Sequence, residues 1–183
     1  MDRHIHLPIS KEDAASLKAG DYVYLDGTIY SARDAAHKRM SDTLDQGGEL
    51  PFDIKGNVIY YMGPSPAREG RPIGSAGPTT AGRMDPYTPR LLDLGMGGMI
   101  GKGKRTQDVK DAIVRNGAVY FAAVGGAGAL LSHCIKKSEV IAYDDLGPEA
   151  IRKMEIESMP VVVVIDSEGN DLYQISTEKW KKQ

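Results

Sequence analysis

The run Gly77-Pro78-Thr79-Thr80-Ala81-Gly82-Arg83-Met84-Asp85 joins a backbone that cannot be regular to side chains suited to an anionic small molecule. Pro78 fixes its own φ and lacks an amide donor, while Gly77 and Gly82 open conformations closed to other residues. From such a loop Thr79 and Thr80 present hydroxyls that can give or accept a proton, and Arg83 presents a planar fork matched to a carboxylate or phosphate. The same residues also suit a plain helix cap, with Thr79 or Thr80 capping a helix that begins near Gly82 or Asp85 and Arg83 in solvent. Two further places put cations beside special backbone. Arg33 and His37 are four apart at the start of a helical pattern, so they share a face near a terminus that itself favours anions. A polar helix face with a structural histidine fits that spacing too. Farther on, Gly101-Lys102-Gly103-Lys104-Arg105-Thr106 sets Lys102 between glycines.

Neither glycine-rich segment of the second half is a nucleotide motif. Gly103 follows Lys102 where a P-loop needs a Ser or Thr for magnesium, and Gly97 precedes Gly101 by four residues instead of five. In Gly125-Gly126-Ala127-Gly128-Ala129 the spacing leaves Leu131 where a dinucleotide turn needs a third small residue. Close helix packing, or backbone N–H donation to an anion, accounts for these glycines equally well.

The elements that must carry these residues follow from hydrophobic pattern. Short strands are expected at Ile5 to Ile9, Asn57 to Met62, Met99-Ile100 and Ala118 to Val124. Ser10 starts a capped helical turn, and Asp21 to Tyr30 reads as two strands around an Asp26-Gly27 turn. Ala32, Ala35, Ala36, Met40 and Leu44 recur at helical spacing until Gly47-Gly48, and further helices are expected around Tyr87 to Leu94 and Gln107 to Arg115. Gly63 to Pro72 is too rich in Pro and Gly for either and forms a long connection into the Thr79 loop. Towards the end, strands are expected at Glu139 to Tyr143, Lys153 to Glu157, Val161 to Ile165 and Asp171 to Ile175, with a helical element from Leu146 to Arg152 and a ragged end from Trp180. The unalternating Val161 to Ile165 run marks a strand buried on both faces.

Composition narrows the function classes. The 183 residues suit one domain, 1–183, and 21 glycines against only two phenylalanines favour a glycine-punctuated α/β chain over a bundle. A net charge of −2, from 23 basic and 25 acidic residues, gives no broad footprint for nucleic acid or an anionic membrane. No apolar run approaches the roughly 20 residues of a membrane span, so a soluble, cytoplasmic protein is expected. The single cysteine, Cys134, excludes an internal disulfide and any iron-sulfur cluster held by this chain alone, and it reads as a small apolar residue rather than a nucleophile.

Ser31-Ala32-Arg33-Asp34-Ala35-Ala36-His37, the Thr79 loop, the Lys102 segment, Tyr120 to Ala129 and Glu155-Ile156-Glu157 occur here in one order, and together they resemble the β subunit of two-subunit class I fumarases. The resemblance covers nearly the whole chain. It implies an α/β fold, a single swivelling β/β/α domain whose mixed, glycine-rich sheet is flanked by helices. It also implies reversible hydration of fumarate to L-malate in a hetero-oligomer whose α subunit carries a four-iron four-sulfur cluster. Carried over by motif, Arg33, Arg83 and Lys102 would hold the substrate carboxylates, Thr79 would stand near the carbon that exchanges a proton, and Thr80 would lie beside it. Asp34 and His37 match the motif without an assignable role. The β subunit of L(+)-tartrate dehydratase is the nearest alternative, although Ala32 before Arg33 and Ala81-Gly82 in the loop follow the fumarase pattern; a non-catalytic anion-binding module is the other.

Overall fold

In the computed structural model, residues 2–124 and 128–181 are described. The apolar run at Val161 to Ile165 forms the end of the longest strand, β7 (Ile151–Ile165), and the sheet is built around it. β7 runs antiparallel to β2 (Tyr22–Ser31), β5 (Val119–Ala123) and β6 (Ile135–Ala142). The other pairings are parallel: β1 (His4–Leu7) on β2, β2 on β3 (Val58–Tyr60), β3 on β4 (Gly98–Gly101), and β4 on β5. Among the described residues seven strands lie in the order 1-2-3-4-5-7-6, and the extra β2–β7 pairing closes the middle of the sheet into a ring.

Parallel neighbours need crossovers, and helices supply them. α2 (Asp34–Asp45) joins β2 to β3, α3 (Thr88–Asp93) lies between β3 and β4, and α4 (Gln107–Asn116) joins β4 to β5. Alternation along each strand then sorts the apolar side chains into two cores. Val58, Tyr60, Ile100, Phe121 and Val163 pack inside the ring, whereas Ile59, Tyr61, Met99, Tyr120 and Val164 pack outward, under Met40, Leu92 and Ile113 of the helices. This is the mixed sheet flanked by helices that the sequence leads one to expect. The Ser10 hydroxyl accepts from the Asp13 amide at 3.0 Å at the start of α1 (Lys11–Ser16), and Val161, Val163, Val164 and Ile165 are all buried.

Several expected elements are corrected. Asp26-Gly27 is not a hairpin turn, because Tyr22–Ser31 is one continuous strand paired with β1 through Leu7 opposite Gly27. Gly27 instead takes φ +118° where the β2–β7 register shifts, a bulge that frees the Asp26 carboxylate to accept from the Ser158 amide at 2.8 Å. The expected strands at Lys153 to Glu157 and Val161 to Ile165 are one strand. The expected helix from Leu146 to Arg152 is a 3-10 segment, Asp144–Glu149, and Ile151 and Arg152 already belong to β7. The expected strand at Glu139 to Tyr143 starts earlier, at Ile135. Of the expected strand from Asp171 to Ile175 only Asp171 pairs, in an antiparallel bridge with Ile165; it accepts from the Tyr173 amide at 2.9 Å and so starts α6 (Leu172–Lys181), which also takes in Trp180. Of the late glycine cluster, Gly128 and Ala129 open a short helix, α5 (Gly128–Ser132), while Gly125, Gly126 and Ala127 lie outside the described residues.

The Gly27 bulge is a point where both space and torsion forbid a side chain. A Cβ there would lie 2.5 Å from the Leu7 carbonyl oxygen. Gly27→Ala is expected to destabilise the chain by about 2–4 kcal/mol, read as a lowered urea midpoint with an unchanged m-value.

Candidate functional site

β2, β3 and β4 are parallel, so their carboxyl ends open on one edge, the place where open α/β sheets bind ligands. Arg33 stands just beyond β2 as the N-cap residue of α2, and Lys102 just beyond β4. The Thr79 loop inserts at the same edge as a short extra strand. The Thr79 amide donates to the Tyr61 carbonyl at 2.7 Å, the Lys102 amide to the Thr79 carbonyl at 3.3 Å, and the Ala81 amide to the Lys102 carbonyl at 2.8 Å. Thr80 and Lys102 thereby form a parallel bridge, and the following 3-10 turn, Ala81–Met84, carries Arg83. Such close approach demands small residues. A Cβ at Gly101 would lie 2.8 Å from the Tyr61 ring, and one at Gly63 would lie 2.9 Å from the Arg33 Cδ.

Arg33, Thr79, Thr80, Arg83 and Lys102 therefore gather at one end of the sheet. Thr80, Arg83 and Lys102 are exposed, whereas Thr79 and Arg33 are half-buried. Thr80 is the N-cap of the 3-10 turn, but its hydroxyl makes no capping bond, so the plain cap is not what it provides. Among the described residues neither threonine hydroxyl has a hydrogen-bond partner, and neither Arg83 nor Lys102 pairs with a carboxylate. The Arg33 guanidinium is only loosely flanked, by Asp34 at 3.7 Å and Glu149 at 3.9 Å, and its buried Nε has no hydrogen-bond partner among the described residues. A buried donor without a partner calls for one, and a ligand carboxylate is the natural fit for a guanidinium fork. With Thr80, Arg83 and Lys102 exposed, the gathered side chains form an open shelf.

Beneath the shelf are charged groups whose roles the sequence leaves hidden. Arg105 is fully buried and donates through Nε to Asp85 at 2.7 Å and through Nη2 to the Tyr61 and Thr88 hydroxyls, each at 3.1 Å. Burial works against its charge, but Tyr61 and Asp85 outweigh that and raise its pKa above the ordinary value. Asp85 and Arg105 lie inside the motifs already singled out, yet no periodicity in the sequence marks Arg105 as interior. Glu149, which accepts from the Ala35 amide at 3.3 Å, comes from a distant segment and carries no sequence signal at all.

His37 is buried with its ring edge against Tyr61, and its Nδ1–H donates to the Arg33 carbonyl at 2.8 Å. It thus fixes the backbone from which Arg33 projects, while its Nε2 has no partner among the described residues. Burial pushes its pKa down to about 4; the bond to Arg33 opposes this and the Arg105 charge adds to it. Cys134 is half-buried, with burial raising its thiol pKa and its Sγ 3.8 Å from the Ser158 carbonyl, so it is no activated nucleophile.

The donor set does not fit an iron-sulfur cluster: the chain has one cysteine, and no group of three His, Cys, Asp or Glu side chains placed to hold a metal is found among the described residues. Nor, among those residues, is any helix long and apolar enough to cross a membrane.

The His37 shift has a sign. Below its unfolded pKa of about 6.5 the unfolded chain takes a proton that the folded chain refuses until about pH 4, so stability falls as pH drops through that window and levels off below it. The loss is on the order of 3 kcal/mol, and His37→Asn is expected to flatten this dependence in urea unfolding measured from pH 7.5 to pH 4.

The family model described as "Fumarase C-terminus" matches residues 2–176. The class I anaerobic fumarate hydratase of Escherichia coli K12 is 46% identical over 153 residues, covering 82% of this chain and 28% of that protein. Fumarate hydratase 2 of Leishmania major is 39% identical over 170 residues, covering 91% of this chain and 30% of the relative. The chain thus spans under a third of the length of these fumarate hydratases. A Methanocaldococcus jannaschii protein, provisionally named L(+)-tartrate dehydratase subunit beta, is 36% identical over 177 residues, covering 93% of this chain and 91% of its own. With a match over nearly its full length and the motif residues gathered at one sheet edge, the chain belongs to the fumarase C-terminus family.

Proposed function

We propose that this chain is the β-type part of an iron-sulfur hydro-lyase that interconverts fumarate and L-malate, gripping the dicarboxylate and supplying the hydroxyl that exchanges a proton with carbon. The observation that carries the reading is the Thr79–Ala81 strand bonded to the Lys102 segment, with Lys102 and Arg83 on the two bonded segments and neither in an ion pair among the described residues. Fumarate and malate carry two carboxylates, and Arg33, Arg83 and Lys102 supply matching charge. Charged hydrogen bonds of this kind are worth about 1.5–3 kcal/mol each. Two forks and one point charge also fix orientation, which a set of three ammoniums would not.

Dehydration of malate removes a proton from the carbon beside one carboxylate while hydroxide leaves the neighbouring carbon, and hydration runs in reverse. Thr79 is assigned the proton. An isolated threonine hydroxyl is too weak an acid for this, and the positive charges of Arg83 and Lys102 favour its alkoxide. The family resemblance brings with it a four-iron four-sulfur cluster, which this chain's residues do not fit. We assign the cluster to a partner α subunit in an assembly of αβ pairs, while gripping the carboxylates and moving the proton fall to this chain's own side chains. The Methanocaldococcus match over most of that protein's length favours a second reading, in which the same shelf grips L(+)-tartrate.

In the complex purified with its partner chain, Thr79→Ala is expected to abolish turnover while dicarboxylate binding is retained; equal loss of both would remove the proton-transfer role. Arg83→Lys keeps the charge and loses the fork, and is expected to lower the rate at least about tenfold, on the order of 1.4 kcal/mol. Assaying L-malate and L(+)-tartrate side by side on that complex separates the two substrates, and turnover of neither would leave only a binding module.

A further inference from the structure

Asp85 closes the Thr79 segment and Arg105 follows closely on Lys102, and the two meet in a buried ion pair at 2.7 Å. We propose that this pair is a positioning clamp that holds the Thr79 hydroxyl and the Lys102 ammonium in one reactive geometry, an inference that rests on the dicarboxylate reading above. The two segments are joined twice. Above, the backbone bonds of Thr79 and Ala81 with Lys102 tie them at the sheet edge. Below, Asp85 uses both carboxylate oxygens, one for Arg105 Nε and the other for the Thr106 amide at 2.7 Å. Lys102 therefore lies on a stretch fixed at each end to the stretch that carries Thr79 and Arg83.

The clamp is also anchored to the strands. Arg105 donates to Tyr61 just past β3 and to Thr88 of α3, approaches the Met99 sulfur of β4 at 3.5 Å, and lies 4.7 Å over the ring of Tyr120 on β5. Tyr120 in turn donates to the Gly103 carbonyl at 2.9 Å, inside the Lys102 segment. Tyr61 serves both levels, since its carbonyl holds the Thr79 amide while its hydroxyl receives Arg105. A lysine could keep the charge but could not satisfy these directions together. As a source of stability alone such a pair is weakly justified, because buried ion pairs are often no better than apolar side chains of the same volume. Geometry is what it secures, and a misplacement of about 1 Å at a reacting group costs on the order of a hundredfold in rate.

The test uses the complex with its partner chain and the variants Arg105→Lys, Asp85→Asn and the double variant, each accepted only where its circular dichroism and its assembly match the wild type. Asp85→Asn is nearly isosteric and keeps a folded variant available if Arg105→Lys fails to fold. Two quantities are read: hydrogen exchange at the Ala81 and Lys102 amides, and kcat and KM for L-malate normalised to iron content. The expected result is exchange at Ala81 faster by at least about tenfold, and kcat lower by at least about tenfold with a smaller change in KM. The double variant should be no worse than the worse single one. Unchanged exchange in a folded variant overturns the clamp whatever the rate does, and faster exchange with an unchanged kcat overturns its positioning role. If the wild-type complex turned over no hydroxy-dicarboxylate, the functional reading would fall by itself. Exchange at Ala81 would then decide the clamp, acceleration upholding it and no change overturning it.

Discussion

A guanidinium and a carboxylate placed out of water must find partners there, and every nitrogen of Arg105 and both carboxylate oxygens of Asp85 have one, at the junction of four structural elements. Their requirements reach outward. Tyr61 must present its hydroxyl inward, so its ring fills the space beside Gly101 and leaves no room for a side chain there. The Thr79 stretch must lie flat against Lys102, so it takes strand-like bonds in a region with no strand pattern of its own. An interior polar network with every member partnered specifies one arrangement far more narrowly than apolar packing does.

The ring of strands explains why that arrangement sits at an edge. Parallel β2, β3, β4 and β5 all end on one side, and antiparallel β7 closes the ring by pairing with both β2 and β5. Every crossover leaves the sheet at the same edge, which is where irregular backbone can be tolerated. The inner core of Phe121, Val161 and Val163 makes a rigid base for it, and the outer core under the helices holds Tyr61 and Tyr120 as the floor of the shelf.

The sequence made some of this legible for physical reasons and hid the rest for equally physical ones. α2 and α4 show helical spacing with Gly47 or Gly117 just past their ends, and the parallel strands are brief apolar runs between glycines; both signals are local. The gathering of Arg33, Thr79 and Lys102 was readable only as motifs, because nothing local says that three segments end side by side. Asp26-Gly27 misled because a bulge and a turn ask for the same residues, and only pairing with β1, a tertiary fact, separates them. Lys153 to Ile165 looked like two strands because Ser158 and Pro160 interrupt the apolar pattern, although β7 passes through both, with Ser158 at φ +50°. The expected strand at Asp171 became a helix because the Asp171 carboxylate, paired with Lys110 at 2.7 Å, also accepts from the Tyr173 amide at the start of the helix. Arg105 could not be identified as interior, since a charge that is buried and one that is solvated are spelled the same way.

α2 begins with a cation where most helices place an acceptor. Arg33 cannot cap it, and the positive pole of the helix is met only in part, by Asp34 in its first turn and by Glu149, which accepts from the Ala35 amide at 3.3 Å. An incoming carboxylate would meet both the guanidinium and that pole at once, completing the helix as a missing side chain would. On the dicarboxylate reading proposed above, the firmness of α2 and the occupancy of the shelf would be coupled, and a bound ligand would stiffen a stretch of backbone that reaches well beyond the atoms it touches.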